Sequence, residues 1–270
     1  LILLATVSMM FLVSTQNLLL IFLSLELLSL SLYILAAFNK RSAQSAEAAL
    51  KYFIFGGISA AFLLFGFSLL YGLSNSTNLA GIADSIHGSS LDPLLIVAIV
   101  MTFVGLGFKV AAVPFHFWAP DVYQGAPTPS AAFIASGSQV ASFFLLYQVM
   151  VIGLAGAEGS GVWHGYVSGW VPVVAILAAL SMVLGNCVAI RQTSGRRRRA
   201  YSAIAHGGYT LLGVLSHTDQ SLSALLYYTI TYALTVLGAF GVVALVEEET
   251  GGDTLSHFAG LSRRAPVPAF

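Results

Sequence analysis

Apolar runs, each close to the length of a membrane-crossing helix, follow one another along almost the whole chain. A spanning helix needs about 20 mostly apolar residues. In lipid, every backbone polar group must be satisfied within the protein, which leaves helices and closed barrels as the only options. Eight runs are read here: Leu1–Val13, Asn17–Phe38, Ala46–Leu73, Leu94–Trp118, Ser130–Gly153, Trp170–Ile190, Ala200–Ser216 and Ser221–Val246. They are too long and too continuous for the alternating pattern of barrel strands. The expected fold class is therefore an all-α polytopic membrane protein with about eight transmembrane helices. Only 8% of the 270 residues are charged and the mean hydropathy is +0.87, against about 25% charged in a soluble domain. The net charge is zero, so no bulk basic field exists to hold nucleic acid.

The single cysteine, Cys187, excludes an intrachain disulfide and any cysteine-based metal or iron–sulfur site. It reads as a small buried hydrophobe. There is no initiator Met and no signal-peptide pattern. The chain opens inside an apolar run at Leu1 and closes at Pro268-Ala269-Phe270, where another run would start, so it reads as a fragment cut at both ends.

Basic residues set the expected orientation. Lys40 and Arg41 lie between the second and third runs, Arg191 and Arg196 to Arg199 between the sixth and seventh, and Arg263 and Arg264 after the eighth. Eight crossings put all of these on one side, the cytoplasmic one. The opposite loops, Ser74–Asp92 and Ala155–Gly169, hold no Lys or Arg, nor does the cytoplasmic connection Pro120–Pro129. The Arg196–Arg199 run reads as an orientation anchor or an anionic-lipid contact rather than a nucleic-acid patch. Glu247–Glu249 read as solvated at a helix end, or paired with those arginines or with a neighbouring subunit. Lys51, one turn inside the third run, either snorkels back to the cytoplasmic face or serves proton entry.

Two charges lie deep in apolar segments: Glu26 and Lys109. Each costs roughly 2.5–3.5 kcal/mol at a helix centre, and such residues mark ion or proton paths. Glu26 is nine residues into its run, roughly 14 Å at 1.5 Å per residue. Ser29 and Tyr33 share its helix face. Lys109 follows Gly105 and Gly107 and precedes Pro114, a pattern that weakens or breaks a helix. Broken helices near the midplane are where membrane carriers place ion sites. Changing the Glu–Lys separation would switch the lysine between holding and releasing a proton. The alternative is a static ion pair that locks two helices together.

His116, just after the expected break, and His206, beside Gly207-Gly208, are either proton relays or satisfied structural histidines. His87, His164, His217 and His257 lie in loops or at helix ends and carry no assigned role. His-x-x-x-His metal spacing and glycine-rich phosphate loops are absent from the sequence. No motif for a nicotinamide, flavin or iron–sulfur centre is found, which assigns redox chemistry to other chains.

Four stretches together resemble the subunit N family of respiratory complex I, the proton-pumping NADH:quinone oxidoreductase. They are LELLSLSLY (Leu25–Tyr33), EAALKYFIFGGISAAFLLFG (Glu47–Gly66), FKVAAVPFHFWAPDVYQGAPTPSAAF (Phe108–Phe133) and RRAYSAIAHGGYTLLG (Arg198–Gly213). The third is the most specific, and its DVYQGAP string favours this family over the other antiporter-like subunits and the Mrp-type antiporters. The resemblance implies antiporter-like inverted five-helix repeats, each with a broken helix. Residues 1–153 would form the first, broken near 105–118, and residues 154–270 the incomplete start of the second. Glu26 then matches the family's acidic residue, Lys109 the lysine of the broken helix and Lys51 the basic residue of the helix between.

One position departs from the family. A second lysine is usual on the next helix, and Gln139 stands there. Glutamine cannot titrate, though it can hydrogen-bond a water wire. The lysine expected on the second broken helix would lie beyond Phe270. What the resemblance implies is a proton-translocating subunit of a translocase in a bacterial-type plasma membrane, beside other membrane subunits of complex I. NADH, flavin, iron–sulfur clusters and quinone would sit in partner subunits, with no cofactor or metal here. The alternatives are a subunit of an Mrp-type cation/proton antiporter and a non-conducting structural subunit, which Gln139 would suit.

Overall fold

The computed structural model describes residues 1–87, 92–162, 164–216, 218 and 220–266. These are helical and joined by turns, with no strand among them beyond isolated bridges such as Asn17 with Asn78. In chain order the helices are α1 (Ile2–Ser14), α2 (Leu18–Ala36), α3 (Ala43–Ser74), α4 (Leu79–Ile86), α5 (Pro93–Lys109), α6 (Trp118–Gly125), α7 (Thr128–Ala135), α8 (Gly137–Tyr147), α9 (Trp170–Arg191), α10 (Gly195–Ser216), α11 (Ser221–Thr250) and α12 (Leu261–Arg264). A π-helical turn, Gln148–Gly153, continues α8.

Among the described residues, five segments are long and apolar enough to cross a membrane: α2, α3, the α7–α8 stretch Thr128–Gly153, α9 and α11. Helices α1 and α5 are apolar but shorter. Together with α10, these are the eight expected runs. Helix starts follow local chemistry. Asn17 accepts from the backbone N–H groups of Leu19 (3.0 Å) and Leu20 (3.4 Å), and Asp92 accepts from that of Leu94 (3.4 Å), with Pro93 opening α5. Helix α3 stops at Asn75, which adopts the left-handed conformation at φ 53°.

Membrane helices here are apolar on all sides, so packing is set by which stripe is buried. On α2, Ile21, Leu25, Leu28 and Leu32 are buried while Leu23, Leu27, Leu30 and Ile34 are exposed as for lipid. Small residues bring neighbours close. A side chain on Gly105 of α5 would begin 2.5 Å from Leu63 Cβ of α3, and one on Gly66 would begin 2.6 Å from the Thr102 nitrogen of α5. Gly185 of α9 and Gly208 of α10 make the same kind of contact with Ala205 and Met182.

Several expectations are corrected. The fifth run is not one helix. Ser136 interrupts it, with φ −113° and ψ −87°, between α7 and α8. Helix α10 begins at Gly195, so Arg196 to Arg199 lie within its first turns rather than in a loop. Glu247 to Glu249 likewise extend α11. The supposed loops Ser74–Asp92 and Pro120–Pro129 contain α4 and most of α6. Cys187 is exposed, not buried, because α9 packs along one stripe only, through Val174, Ala178, Ser181 and Gly185. His217 and Pro268-Ala269-Phe270 lie outside the described residues.

Candidate functional site at the broken helix

The fourth run breaks as its glycines and proline predict. Helix α5 ends at Lys109, residues 110–117 form turns, and α6 resumes at Trp118. Ala111 takes the left-handed conformation at φ 53°, unusual for a residue with a Cβ. The backbone groups freed at the break find protein partners, as a lipid environment demands. The Val113 N–H donates to Ser181 Oγ of α9 at 2.9 Å. The Phe108 carbonyl accepts from the indole N–H of Trp118 at 2.9 Å. Trp118 in turn stacks on Tyr52 of α3, with ring centroids 4.4 Å apart, and Tyr52 meets Tyr33 of α2 edge-on at 4.8 Å. An aromatic column therefore ties both halves of the broken helix to α2 and α3.

Lys109 is partly buried, and its Nζ donates to Ser29 Oγ of α2. Ser29 also donates back to the Leu25 carbonyl. Glu26 lies one turn before Ser29 on the same face of α2, but among the described residues no ion pair joins it to Lys109. The locked pair considered from sequence is therefore not what the structure contains. A neutral hydroxyl holds the lysine, with the carboxylate nearby.

Lys51 does not stand alone. Its Nζ lies 2.7 Å from Glu47 and 2.8 Å from Asp121 of α6, and Arg197 of α10 contacts Asp121 from the other side at 2.8 Å. Arg197 also donates to Gln124 Oε1 at 3.1 Å. Burial pushes the Asp121 carboxyl up, but its hydrogen bonds from Lys51 and Arg197 outweigh this and hold it below the usual carboxylate range. This network pins the second half of the broken helix to α3 and α10.

His116 is buried in the turns after the break. It stacks on Phe117 at 4.5 Å, and its Nδ1 has no hydrogen-bond partner among the described residues. His206 of α10 pairs through Nδ1 with the Tyr228 hydroxyl at 2.7 Å and stacks on Tyr232 at 4.4 Å. Gln139 of α8 is buried, and it lines one small cavity together with His206, Ser136, Thr210 and Tyr232. The Tyr123 hydroxyl, also buried, faces Gln139 without closing a hydrogen bond of normal geometry.

The structure thus brings Lys109 to the Glu26 face, Lys51 to the far half of the broken helix, and Gln139 to His206. Sequence reasoning missed Asp121 and Tyr123, and read Arg197 only as part of an orientation anchor. Asp121 and Tyr123 stood inside the DVYQGAP string, and that was the available signal.

Apolar helices long enough to cross a membrane, one of them broken beside a half-buried lysine, define a polytopic membrane protein. The sequence matches the family described as NADH:quinone oxidoreductase/Mrp antiporter, TM, over residues 15–270. The chain belongs to that family. It is 64% identical over 267 residues to NADH-quinone oxidoreductase subunit N 2 of Acidobacterium capsulatum, covering 99% of this chain and 53% of that protein. Respiratory complex I from Thermus thermophilus, solved with bound aureothin, contains a similar chain at TM-score 0.80 and 39% identity, covering 98% of this chain and 55% of that one. The Mrp complex from Dietzia sp. shares the fold at TM-score 0.86 and 22% identity, covering 99% and 48%. The chain spans about half the length of the curated relatives it matches.

Proposed function

We propose that this chain is part of a proton-translocating membrane subunit of an NADH:quinone oxidoreductase of the complex I type. One observation carries the reading. Lys109, at the point where α5 breaks, crosses to Ser29 on the helix face of Glu26. A lysine held by a hydroxyl can take up or give up its proton as the carboxylate approaches or withdraws. Lys51 and His116 would serve the path near one end of the broken helix, and Gln139 and His206 would carry it on through water. Residues 1–153 would form the first five-helix repeat, and 154 onward the start of its inverted counterpart. The basic ends would face the cytoplasm of a bacterial inner membrane. Electron transfer from NADH through flavin and iron–sulfur clusters to quinone would belong to partner subunits and would supply the driving energy.

Gln139 favours a second reading, a membrane scaffold that no longer conducts, because no titratable side chain stands where the resemblance expects a lysine. One experiment separates the two. Lys109→Met in the full-length subunit, with the complex purified and reconstituted in liposomes, should lower protons pumped per NADH oxidised while the complex still assembles. An unchanged ratio would reject the carrier role. Cation exchange without any NADH oxidation would point to an antiporter instead.

A further inference from the structure

Arg199 differs from Arg196 and Arg197, and, unlike the exposed Arg198, it is partly buried. Arg196 lies 3.1 Å from Glu247, and Arg197 lies 2.8 Å from Asp121. Among the described residues no carboxylate pairs with Arg199. Its Nε is buried without a hydrogen-bond partner among the described residues, and its guanidinium lies 5.9 Å from the centre of the Phe240 ring. With Tyr123, Ser202, His206, Tyr228 and Tyr232 it lines a cavity of about 290 Å³.

A second cavity of about 20 Å³ is lined by Gln139 and Thr210 and shares His206 and Tyr232 with the first. That is room for a water molecule, with polar groups to hold it. Gly207 also borders this second cavity, and a side chain there would begin 3.4 Å from the carbonyl of Val110, the residue after Lys109. The two cavities together set out a polar route from Arg199 past His206 and Gln139 to Gly207, which packs beside the Val110 carbonyl at the break.

Such a route is a hazard in a pump, because protons could run back along it. A guanidinium stays charged at any working pH, so Arg199 cannot pass a proton on. Its fixed charge repels an excess proton, as an arginine does in water channels that exclude protons. Arg199 and His206 are seven residues apart on one helix. That puts them on one face, about 10 Å apart along the axis. At an effective dielectric of about 20, unit charges at that separation disfavour each other on the order of tenfold.

We propose that Arg199 is the electrostatic barrier of this cavity, a fixed cation that stops protons in the cavity from entering the His206–Gln139 route. The proposal rests on the proton-carrying reading above and adds how back-flow is blocked.

The test uses the full-length subunit in its purified complex, reconstituted in liposomes loaded with a pH-sensitive dye. An imposed pH step without NADH reads the passive leak. Arg199→Gln should raise the leak on the order of tenfold, and Arg199→Lys, which keeps a cation, should stay near wild type. Ser202→Asp, which sets a carboxylate one turn from Arg199, should raise the leak as well. An unchanged leak in both Arg199→Gln and Ser202→Asp overturns the barrier. Loss of co-purifying phospholipid from Arg199→Gln with no change in leak overturns it too, and makes Arg199 a headgroup ligand. If Lys109→Met stops pumping while Arg199→Gln does not leak, only the barrier fails. If pumping survives Lys109→Met, the proton-carrying reading fails by itself.

Discussion

Asp121 is shared between two helices that the chain order keeps far apart. Lys51 reaches it from 70 residues upstream and Arg197 from 76 downstream. Because its carboxyl is held below the usual range, the network adds stability at neutral pH. That contribution is complete above the unfolded carboxylate value of about 3.9 and is lost as pH falls through the lower folded value. The Lys51 side chain is 41% exposed, so solvent screens its share. Asp121→Asn should therefore cost only about 1 kcal/mol, seen as a lower unfolding midpoint in detergent at pH 7. The gap to wild type should narrow below about pH 4. A gap that ignores pH would mean that packing, not charge, holds α6. At this scale Glu26, Lys51 and Lys109 were legible in the sequence, because a charge in an apolar run is conspicuous. Their partners were not. Nothing local says that Lys51 meets Asp121, or that Ser29 rather than Glu26 receives Lys109.

The elements were legible in proportion to how strongly each breaks the helical pattern. Gly105, Gly107 and Pro114 announced the break after Lys109. The interruption at Ser136 was hidden, because no proline follows Gly137 closely and apolar stretches flank Ser136-Gly137-Ser138-Gln139 on both sides. Its trace is the cluster of serines whose hydroxyls donate to carbonyls one turn back: Ser136 to Ala132 at 2.7 Å, Ser138 to Ile134 at 2.6 Å and Ser142 to Ser138 at 2.7 Å. Such bonds compete with the helix's own and bend it. Gly105 does a separate job, since its missing side chain lets α5 lie against Leu63 and the Ser59 carbonyl of α3. Gly105→Leu should force the two helices apart, costing about 1–3 kcal/mol. It should also draw Lys109, four residues on, away from Ser29. Reduced expression together with impaired pumping would bear this out, and normal values for both would show that the contact has slack.

The whole molecule is held at one end by the arginine run, for which the sequence already offered Glu247–Glu249 as one set of partners. Arg196 is 3.1 Å from Glu247 of α11, 3.5 Å from Asp253 and 3.2 Å from the Ala126 carbonyl just before α7. Thr128 of α7 donates to Glu247 at 2.5 Å, and Ser194 donates to Asp253 at 2.5 Å. All three ionised side chains are mostly buried, at 14% to 22% exposure. Arg196→Gln leaves two carboxylates without their cation and should cost about 3–5 kcal/mol. Backbone hydrogen exchange across residues 118–130 should then quicken relative to α9. Equal protection in wild type and variant would show that the cluster holds nothing in place.

The adjacent positions of Arg196 and Arg197 carry a mechanical consequence. One grips α11 and the entry to α7, and the other grips α6. The first turn of α10 is thus a coupling joint between the broken helix, the interrupted helix and the long α11. A rigid shift of α10 along its axis cannot be absorbed locally. It must be transmitted to α6 and α7, which follow and precede the two breaks, and so to the backbone that follows Lys109.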